Sequence, residues 1–186
     1  MKKQISLIHL LLFGALLGSC QSTGSGRNKE LTIGDSIPAF TLTDQDGHFF
    51  NSRDYVGPSH SGDSGNHSLV IFFYPKDESM VCTKEACSFR DRYADLVKAG
   101  AVVIGINGGT VESHKKFQTN DKLPYPLLSD SGNKVLNAFG IPKQFFMTGR
   151  KTLVVNKTGK IVFTYNSSLK GSRHAEKALA YLQEHP

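Results

Sequence analysis

Two uninterrupted apolar runs, Leu69–Tyr74 and Ala101–Ile106, dominate the hydrophobic pattern of the chain. Both are short and rich in β-branched and aromatic residues, which predicts two strands buried on both faces of a sheet. Each run is followed by a segment with helical apolar spacing, from Cys82 to about Lys98 and from Val111 to about Thr119. The pattern therefore predicts strands alternating with helices.

Shorter segments with strand or helix periodicity lie before and after these two runs. Alternating residues on either side of turn residues predict two pairs of strands, and two further segments have helical periodicity. The predicted strands are Phe40–Thr43 with His48–Phe50 and Leu153–Asn156 with Ile161–Tyr165, and the helices are Lys134–Phe139 and His174–Glu184. This order predicts the α/β class, with a central mixed β-sheet flanked by helices on both faces.

The stretch Gly57–Ser68 contains few apolar residues and predicts a surface loop. Two histidines, His60 and His67, lie in it, but the loop offers no further ligand at a useful spacing. We therefore expect no metal site there. The loop is either a docking surface or a solvated insertion.

The first 32 residues differ from the rest. A short basic start and an apolar stretch too short to span a membrane make residues 1–19 a predicted signal peptide. The segment Leu17–Cys20 resembles a bacterial lipobox, which implies cleavage before Cys20 and lipidation of its sulfur. Residues 20–32 then form a lipidated cysteine and a flexible tether, and residues 33–186 form one domain. The alternatives are a plain secretory signal with an incidental cysteine, or an uncleaved anchor.

Composition narrows the classes of partner. The chain has 186 residues and a formal net charge of +6, without a basic run or a basic patch interleaved with aromatic residues, which argues against nucleic acid. It has three cysteines, and an odd number in an exported chain needs an explanation. Lipidation of Cys20 supplies one and leaves the pair Cys82 and Cys87.

The candidate chemistry lies where the first buried strand meets the first long helix. The chain turns at Pro75, and Cys82 is predicted in the first turn of the helix. A thiol there faces unpaired backbone N–H groups and the positive end of the helix dipole, which favours the nucleophilic thiolate. Cys87, five residues later, is either a second redox thiol or a small buried core residue.

These residues resemble the peroxiredoxins, and among them the bacterioferritin comigratory protein or PrxQ type. The family signature is a proline, a Thr or Ser four positions later, and the peroxidatic cysteine three positions after that. In this chain these residues are Pro75, Ser79 and Cys82. Cys87 stands where that subfamily has a resolving cysteine. Two departures are visible: Met80-Val81 replaces the usual Pro-Gly, and Asn107–Gly109 replaces a "V-S-x-D" turn.

The resemblance implies a thioredoxin-like fold and a role for each residue. Cys82 would attack the peroxide, Ser79 would hydrogen-bond beside the sulfur, and Pro75 would exclude water. Arg150 is the predicted catalytic guanidinium, because it directly precedes a predicted strand where the family places one. The competing cations are Arg90, Arg92 and Lys151. The aromatic pair Phe145-Phe146 and Met147 before it are predicted to serve core or loop packing, and the alternative is that they line the peroxide pocket.

A disulfide between Cys82 and Cys87 is also implied, and it has a geometric consequence. Positions five apart in an intact α-helix have Cα atoms about 8.6 Å apart. A disulfide needs a separation below about 7 Å. The start of the helix must therefore unwind when the bond forms.

The predicted activity is a thiol peroxidase that reduces hydrogen peroxide and organic hydroperoxides without a metal, haem or flavin. A thioredoxin or thioredoxin-like dithiol would reduce the disulfide, and the enzyme is expected to be monomeric and lipid-anchored at an extracytoplasmic membrane face. The two alternative functions are a thioredoxin-fold copper carrier and a disulfide reductase. They use Cys-x-x-x-Cys with a distant His and Cys-x-x-Cys respectively, and neither motif is present. His48, His114 and His174 are predicted to be surface residues.

Overall fold

The computed structural model describes residues 28–57, 67–142 and 148–186. The predicted signal peptide, Cys20, most of the tether, most of the Gly57–Ser68 loop and the Phe145–Met147 segment lie outside these residues. None of the described helices is long and apolar enough to cross a membrane.

Seven strands and five α-helices make up the described fold. In chain order they are β1 (Thr41–Asp44), β2 (Phe49–Asn51), β3 (Ser68–Phe73), α1 (Met80–Asp91), α2 (Tyr93–Lys98), β4 (Ala101–Asn107), α3 (Val111–Asp121), β5 (Leu127–Ser129), α4 (Lys134–Ala138), β6 (Lys151–Val155), β7 (Ile161–Tyr165) and α5 (Ser172–Glu184), with a short 3₁₀ turn at Ser52–Asp54.

The strands form one mixed sheet in the order β2-β1-β5-β4-β3-β6-β7. The central strands β5, β4 and β3 are parallel, and the outer pairs are antiparallel. The predicted mixed sheet is confirmed. The two apolar runs are its central neighbours β3 and β4, which is the position that continuous hydrophobicity favours.

The core lies on both faces of this sheet. Along β3, Val70 and Phe72 face a cluster that receives side chains from α1, α2, α3 and α5. Leu69, Ile71 and Phe73 face a second cluster that receives side chains from α4 and from the chain around β1 and β2. The alternation follows from the two-residue period of a strand, and it brings α1 and α5 to the same face.

The helix predicted from Cys82 to Lys98 is not continuous. It breaks at Arg92, whose backbone angles of φ −110° and ψ 7° are not helical, so that α1 ends and α2 begins there. Arg92 N–H bonds the Phe89 carbonyl, three residues back, and its guanidinium bonds the Ser88 carbonyl and hydroxyl. Gly100, with φ 76°, follows α2. Strand β5 was not predicted.

Candidate active site

The start of α1 places Cys82 against the sheet face that carries Val70 and Phe72. Ser79 is the N-cap residue with extended backbone (φ −80°, ψ 145°), and Cys82 is the third residue of the helix. The Cys82 side chain is almost wholly buried, with 1% of its residue surface exposed. The first-turn position predicted for Cys82 is thus observed. The Ser79 hydroxyl donates to the Lys76 carbonyl, so in this conformation it stabilises the preceding loop.

Arg150 is the cation that meets the sulfur. Its Nη2 lies 3.1 Å from Cys82 Sγ, and the residue is 4% exposed. Arg150 directly precedes β6, which pairs with β3, so the sheet carries the guanidinium to the start of α1. A guanidinium remains charged even when buried, and its fixed fork of donors can hold an anion in a defined direction.

The competing cations are engaged elsewhere. Arg90 bonds the Asp91 carboxylate and the Asp121 carbonyl. Lys151 bonds Glu30 and the Leu31 carbonyl, and Arg92 bonds Ser88. Of the four candidates named from the sequence, Arg150 is therefore the one that the fold brings to Cys82.

Glu85 is a further site residue, and it was not predicted. It is fully buried on α1, one turn after Cys82, and its Oε2 accepts a hydrogen bond from Arg150 Nη1. Arg150 thus bridges the sulfur and a carboxyl on the same helix face. The three-residue spacing from Cys82 is the signal in the sequence that could have indicated Glu85.

His174, on α5, lies behind Glu85. Its ring makes polar contacts at both nitrogens: Nε2 lies 3.0 Å from the Ser167 carbonyl and Nδ1 lies 2.9 Å from Thr152 Oγ1. Nδ1 also lies 3.2 Å from Glu85 Oε1. That approach lacks hydrogen-bond geometry, and Oε1 has no hydrogen-bond partner in the described structure.

Burial lowers the pKa of His174 to about 4, and the nearby Arg150 charge lowers it further, against the opposing effect of the Ser167 carbonyl. His174 is therefore neutral at pH 7. The prediction that it is a surface residue was wrong, and the same prediction was wrong for His114, which is also fully buried. Of the three histidines, His48 is the exposed one.

Asp77 anchors the loop that precedes Cys82. Its carboxylate accepts hydrogen bonds from Tyr74, Asn107 and Ser113 and contacts His114 Nδ1 at 2.9 Å. Burial raises the pKa of Asp77, but the bonds to His114 and Ser113 outweigh this effect, so the pKa lies below its usual value. The carboxylate is thus ionised at neutral pH. Asn107, which departs from the family pattern, belongs to this network.

The same loop is fixed at two further points. Glu78 has a left-handed backbone (φ 53°) and bonds Lys116 and Asn120 on α3. Half-buried Pro75 accepts a hydrogen bond at its carbonyl from the Thr148 hydroxyl, at 3.4 Å. The residues before Cys82 are therefore held by their own contacts, independently of α1.

Cys87 lies on the same unbroken helix, away from Cys82. Both cysteines are free thiols. The half-buried Cys87 Sγ lies 3.6 Å from Asp121 Oδ1. Burial raises the pKa of Cys87, and the Asp121 charge adds to this effect while Arg90 opposes it. Five residues of helix put the two Cα atoms about 8.6 Å apart, too far for a disulfide in this conformation.

Comparison with known proteins identifies the family. Residues 33–164 match the model of the AhpC/TSA family. The chain belongs to this family. It is 41% identical over 165 residues to a chloroplastic peroxiredoxin Q of Oryza sativa subsp. japonica, covering 86% of this chain and 72% of the relative. It is 42% identical over 156 residues to the peroxiredoxin Q of Sedum lineare, covering 83% and 79%.

Solved structures of a peroxidoxin and a bacterioferritin comigratory protein share the fold. The peroxidoxin BcpB of Mycobacterium tuberculosis has a TM-score of 0.74 and 30% identity, covering 84% of this chain and 99% of that one. A bacterioferritin comigratory protein of Xanthomonas campestris, solved to study its alkyl peroxide reduction activity, has a TM-score of 0.69 and 26% identity, covering 81% and 99%.

These findings confirm the peroxiredoxin resemblance, the thioredoxin-like fold and the enzyme class. The chain is a thiol-dependent peroxidase of the peroxiredoxin Q type. The comparisons do not favour the copper carrier or the disulfide reductase.

Proposed function

We propose that Cys82 is the peroxidatic cysteine and that it reduces hydrogen peroxide and organic hydroperoxides. The observation that carries this proposal is the contact of Cys82 Sγ with Arg150 Nη2 at 3.1 Å, in a buried site at the start of α1. A buried guanidinium stabilises both a thiolate and the negative charge that develops as an O–O bond breaks. The alkyl peroxide activity of the Xanthomonas relative supports including organic hydroperoxides.

The first step is a displacement at oxygen. The Cys82 thiolate attacks one peroxide oxygen, an S–O bond forms, the O–O bond breaks, and the other oxygen leaves and takes a proton as water or alcohol. Cys82 becomes a sulfenic acid. Arg150 orients the peroxide and stabilises the leaving oxygen, and Pro75 excludes water from the sulfur. Ser79, at the helix N-cap, can bond the peroxide if its hydroxyl turns away from Lys76.

The second step is capture of the sulfenic acid. The Cys87 thiol attacks Cys82 sulfur, the S–O bond breaks, and a disulfide and water form. The helical separation of the two residues requires α1 to unwind first. An external dithiol, a thioredoxin or a thioredoxin-like protein, then reduces the disulfide by thiol–disulfide exchange.

The cellular setting rests on the N-terminal sequence. We infer that Cys20 carries lipid and that a tether of about a dozen polar residues holds the domain at an extracytoplasmic membrane face. A labelled fatty acid supplied to the cells is expected to appear on the parent chain and to be absent from the Cys20→Ser chain. Labelling that survives the replacement of Cys20 would contradict lipidation at that position.

Rapid mixing tests the thiol chemistry. The reduced full-length chain carrying Cys20→Ser, in mild detergent, is mixed with hydrogen peroxide, quenched and weighed by mass spectrometry. We expect rapid loss of two hydrogens as the disulfide forms. Cys82→Ser should abolish the reaction, and Cys87→Ser should stop it at the sulfenic acid. Oxidation no faster than that of a free thiol would reject the proposal.

A further inference from the structure

Five buried side chains from three parts of the fold form one chain of contacts. Cys82 and Glu85 are on α1, Arg150 and Thr152 are at the start of β6, and His174 is on α5. Arg150 contacts both α1 residues, Glu85 approaches His174, and His174 bonds Thr152. Cys82, Glu85, Thr152 and His174 are each at most 1% exposed, and Arg150 is 4% exposed. The peroxide chemistry described above assigns no role to His174.

The contact between His174 and Glu85 has a definite proton requirement. Nε2 must carry a hydrogen, because it faces the Ser167 carbonyl, which can only accept. In the neutral ring Nδ1 then has only a lone pair, as do the oxygens of a carboxylate. Two such atoms 3.2 Å apart repel each other unless one of them carries a proton. Since His174 is neutral at pH 7, the contact is attractive only when Glu85 Oε1 carries a proton.

The charges around the pair favour that proton. With Cys82 as thiolate and Glu85 as carboxylate, the buried cluster would contain two negative charges and one positive charge, on Arg150. An unpaired charge is costly in a buried site. Of the other groups that face the imidazole, Thr152 and the Ser167 carbonyl are neutral, and the Tyr165 ring of β7 lies 4.8 Å away, edge to face.

We propose that His174 is a positioning residue that acts through Glu85. When the carboxyl turns Oε1 towards the ring, a proton on Oε1 bonds the Nδ1 lone pair and fixes the carboxyl so that Oε2 holds Arg150 Nη1 and leaves Nη2 directed at Cys82. Helix α5 thereby controls the geometry of the peroxidatic step without touching peroxide. This inference rests on the proposed roles of Cys82 and Arg150.

Two substitutions at one position separate this role from a structural one. The amide of His174→Asn occupies roughly the place of Nδ1, and its oxygen can accept from Glu85 Oε1. The amide of His174→Gln reaches instead to the place of Nε2 and the Ser167 carbonyl. The second-order rate constant for oxidation of Cys82 by hydrogen peroxide is measured by rapid mixing, with the full-length Cys20→Ser chain as background. The exposed His48→Asn serves as the matched control.

We expect His174→Gln to lower the rate constant about tenfold, because Glu85 loses its partner. His174→Asn should stay within about threefold of the parent, and His48→Asn should match it. Unfolding in urea gives the stability of each variant. If the rates follow stability instead, with Gln at least as active as Asn, His174 has only a structural role and the inference is rejected.

A double-mutant cycle with Glu85→Gln tests whether His174 acts through Glu85. If His174 acts through Glu85, His174→Gln should slow the reaction little further once Glu85 is replaced. Full additivity of the two losses would overturn the inference. Failure of the underlying function would look different: the parent chain itself would react no faster than a free thiol, and Arg150→Lys would change nothing.

Discussion

Arg150 is shared between two negative groups, and this is the residue-scale feature on which the peroxidatic step depends. Its Nη2 contacts Cys82 Sγ, and its Nη1 bonds Glu85. A lysine would supply one compact ammonium group, which could not donate to both Cys82 Sγ and the Glu85 carboxyl in the same geometry. We expect Arg150→Lys to slow the oxidation of Cys82 by about a hundredfold, as for loss of one transition-state donor. Rapid mixing with hydrogen peroxide measures it.

The matched control is Arg53→Lys, at an exposed arginine on the 3₁₀ turn at Ser52–Asp54. It should react like the parent chain. An Arg150→Lys enzyme as fast as the parent would show that the guanidinium geometry does not matter. Unfolding in urea shows whether the Arg150 variant remains folded when the rate is measured.

His174 gives the protein a defined response to acid. The ordinary histidine pKa of 6.5 applies to the unfolded chain, whereas the pKa in the fold is about 4. Between these values His174 binds a proton in the unfolded chain but not in the fold, so its contribution to stability falls as the pH drops from 6.5 towards 4. At pH 5 the loss relative to pH 7 is about 2 kcal/mol.

His174→Asn should remove this loss. Urea denaturation of the parent and the variant at pH 7 and pH 5 measures it, and the parent is expected to lose about 2 kcal/mol more than the variant. Equal losses would mean that His174 is protonated in the folded protein over this range.

The sequence predicts some residues of the site better than others, for a physical reason. Cys82, Ser79 and Pro75 lie within one short stretch, where spacing and the helix start define the chemistry. Glu85 and His174 meet only because α1 and α5 pack on the same sheet face. A histidine that will be buried looks in sequence like a surface histidine, and this explains the error at His174.

At the scale of elements, α1 must unwind while the loop before it stays fixed. Asp77 and Glu78 tie that loop to β4 and α3, so unwinding must occur after Ser79. Beyond Cys82 the helix is anchored by buried bonds: Tyr125 OH donates to the Ala86 carbonyl at 2.7 Å, and Ser88 Oγ donates to the Ser172 carbonyl. These bonds oppose the approach of Cys87.

Tyr125→Phe should accelerate disulfide formation. The change removes the hydrogen bond to Ala86 and lowers the cost of unwinding by about 1 kcal/mol, which corresponds to about a fivefold faster second step. Quenched mass spectrometry separates sulfenic acid from disulfide and measures the rate. Tyr55→Phe, on the other face of the sheet, is the control. An unchanged rate would show that unwinding around Ala86 does not limit the step.

The elements that escaped prediction are short or context-dependent. Strand β5 has three residues and follows Pro126, so its own sequence has little periodicity, and it is defined by pairing with β4 and β1. The break at Arg92 comes between two segments with continuous helical spacing. Strands β3 and β4 were predicted because a strand that is buried on both faces is apolar at nearly every position, and this continuous run is visible in the sequence.

At the scale of the whole molecule, the edge strands of the sheet influence whether two copies of the chain can associate. Edge strand β2 has three residues, and β7 has five with mostly half-buried side chains. Within the described residues, the large apolar side chains that are exposed lie in separate segments of the chain: Ile33, Phe49, Met80, Val97 and Leu169. Short edges and scattered apolar residues give another chain little to pair with.

We therefore expect the chain from Gln21 onward to be a monomer in both the reduced and the disulfide form. Sedimentation velocity at two concentrations a factor of about ten apart should give the mass of one chain in each case, because mass action would raise the mass of a weak dimer. A mass that doubles with concentration would contradict this. Phe49→Lys would then locate the contact, since a positive charge on edge strand β2 should dissociate a dimer formed there and leave one formed elsewhere intact.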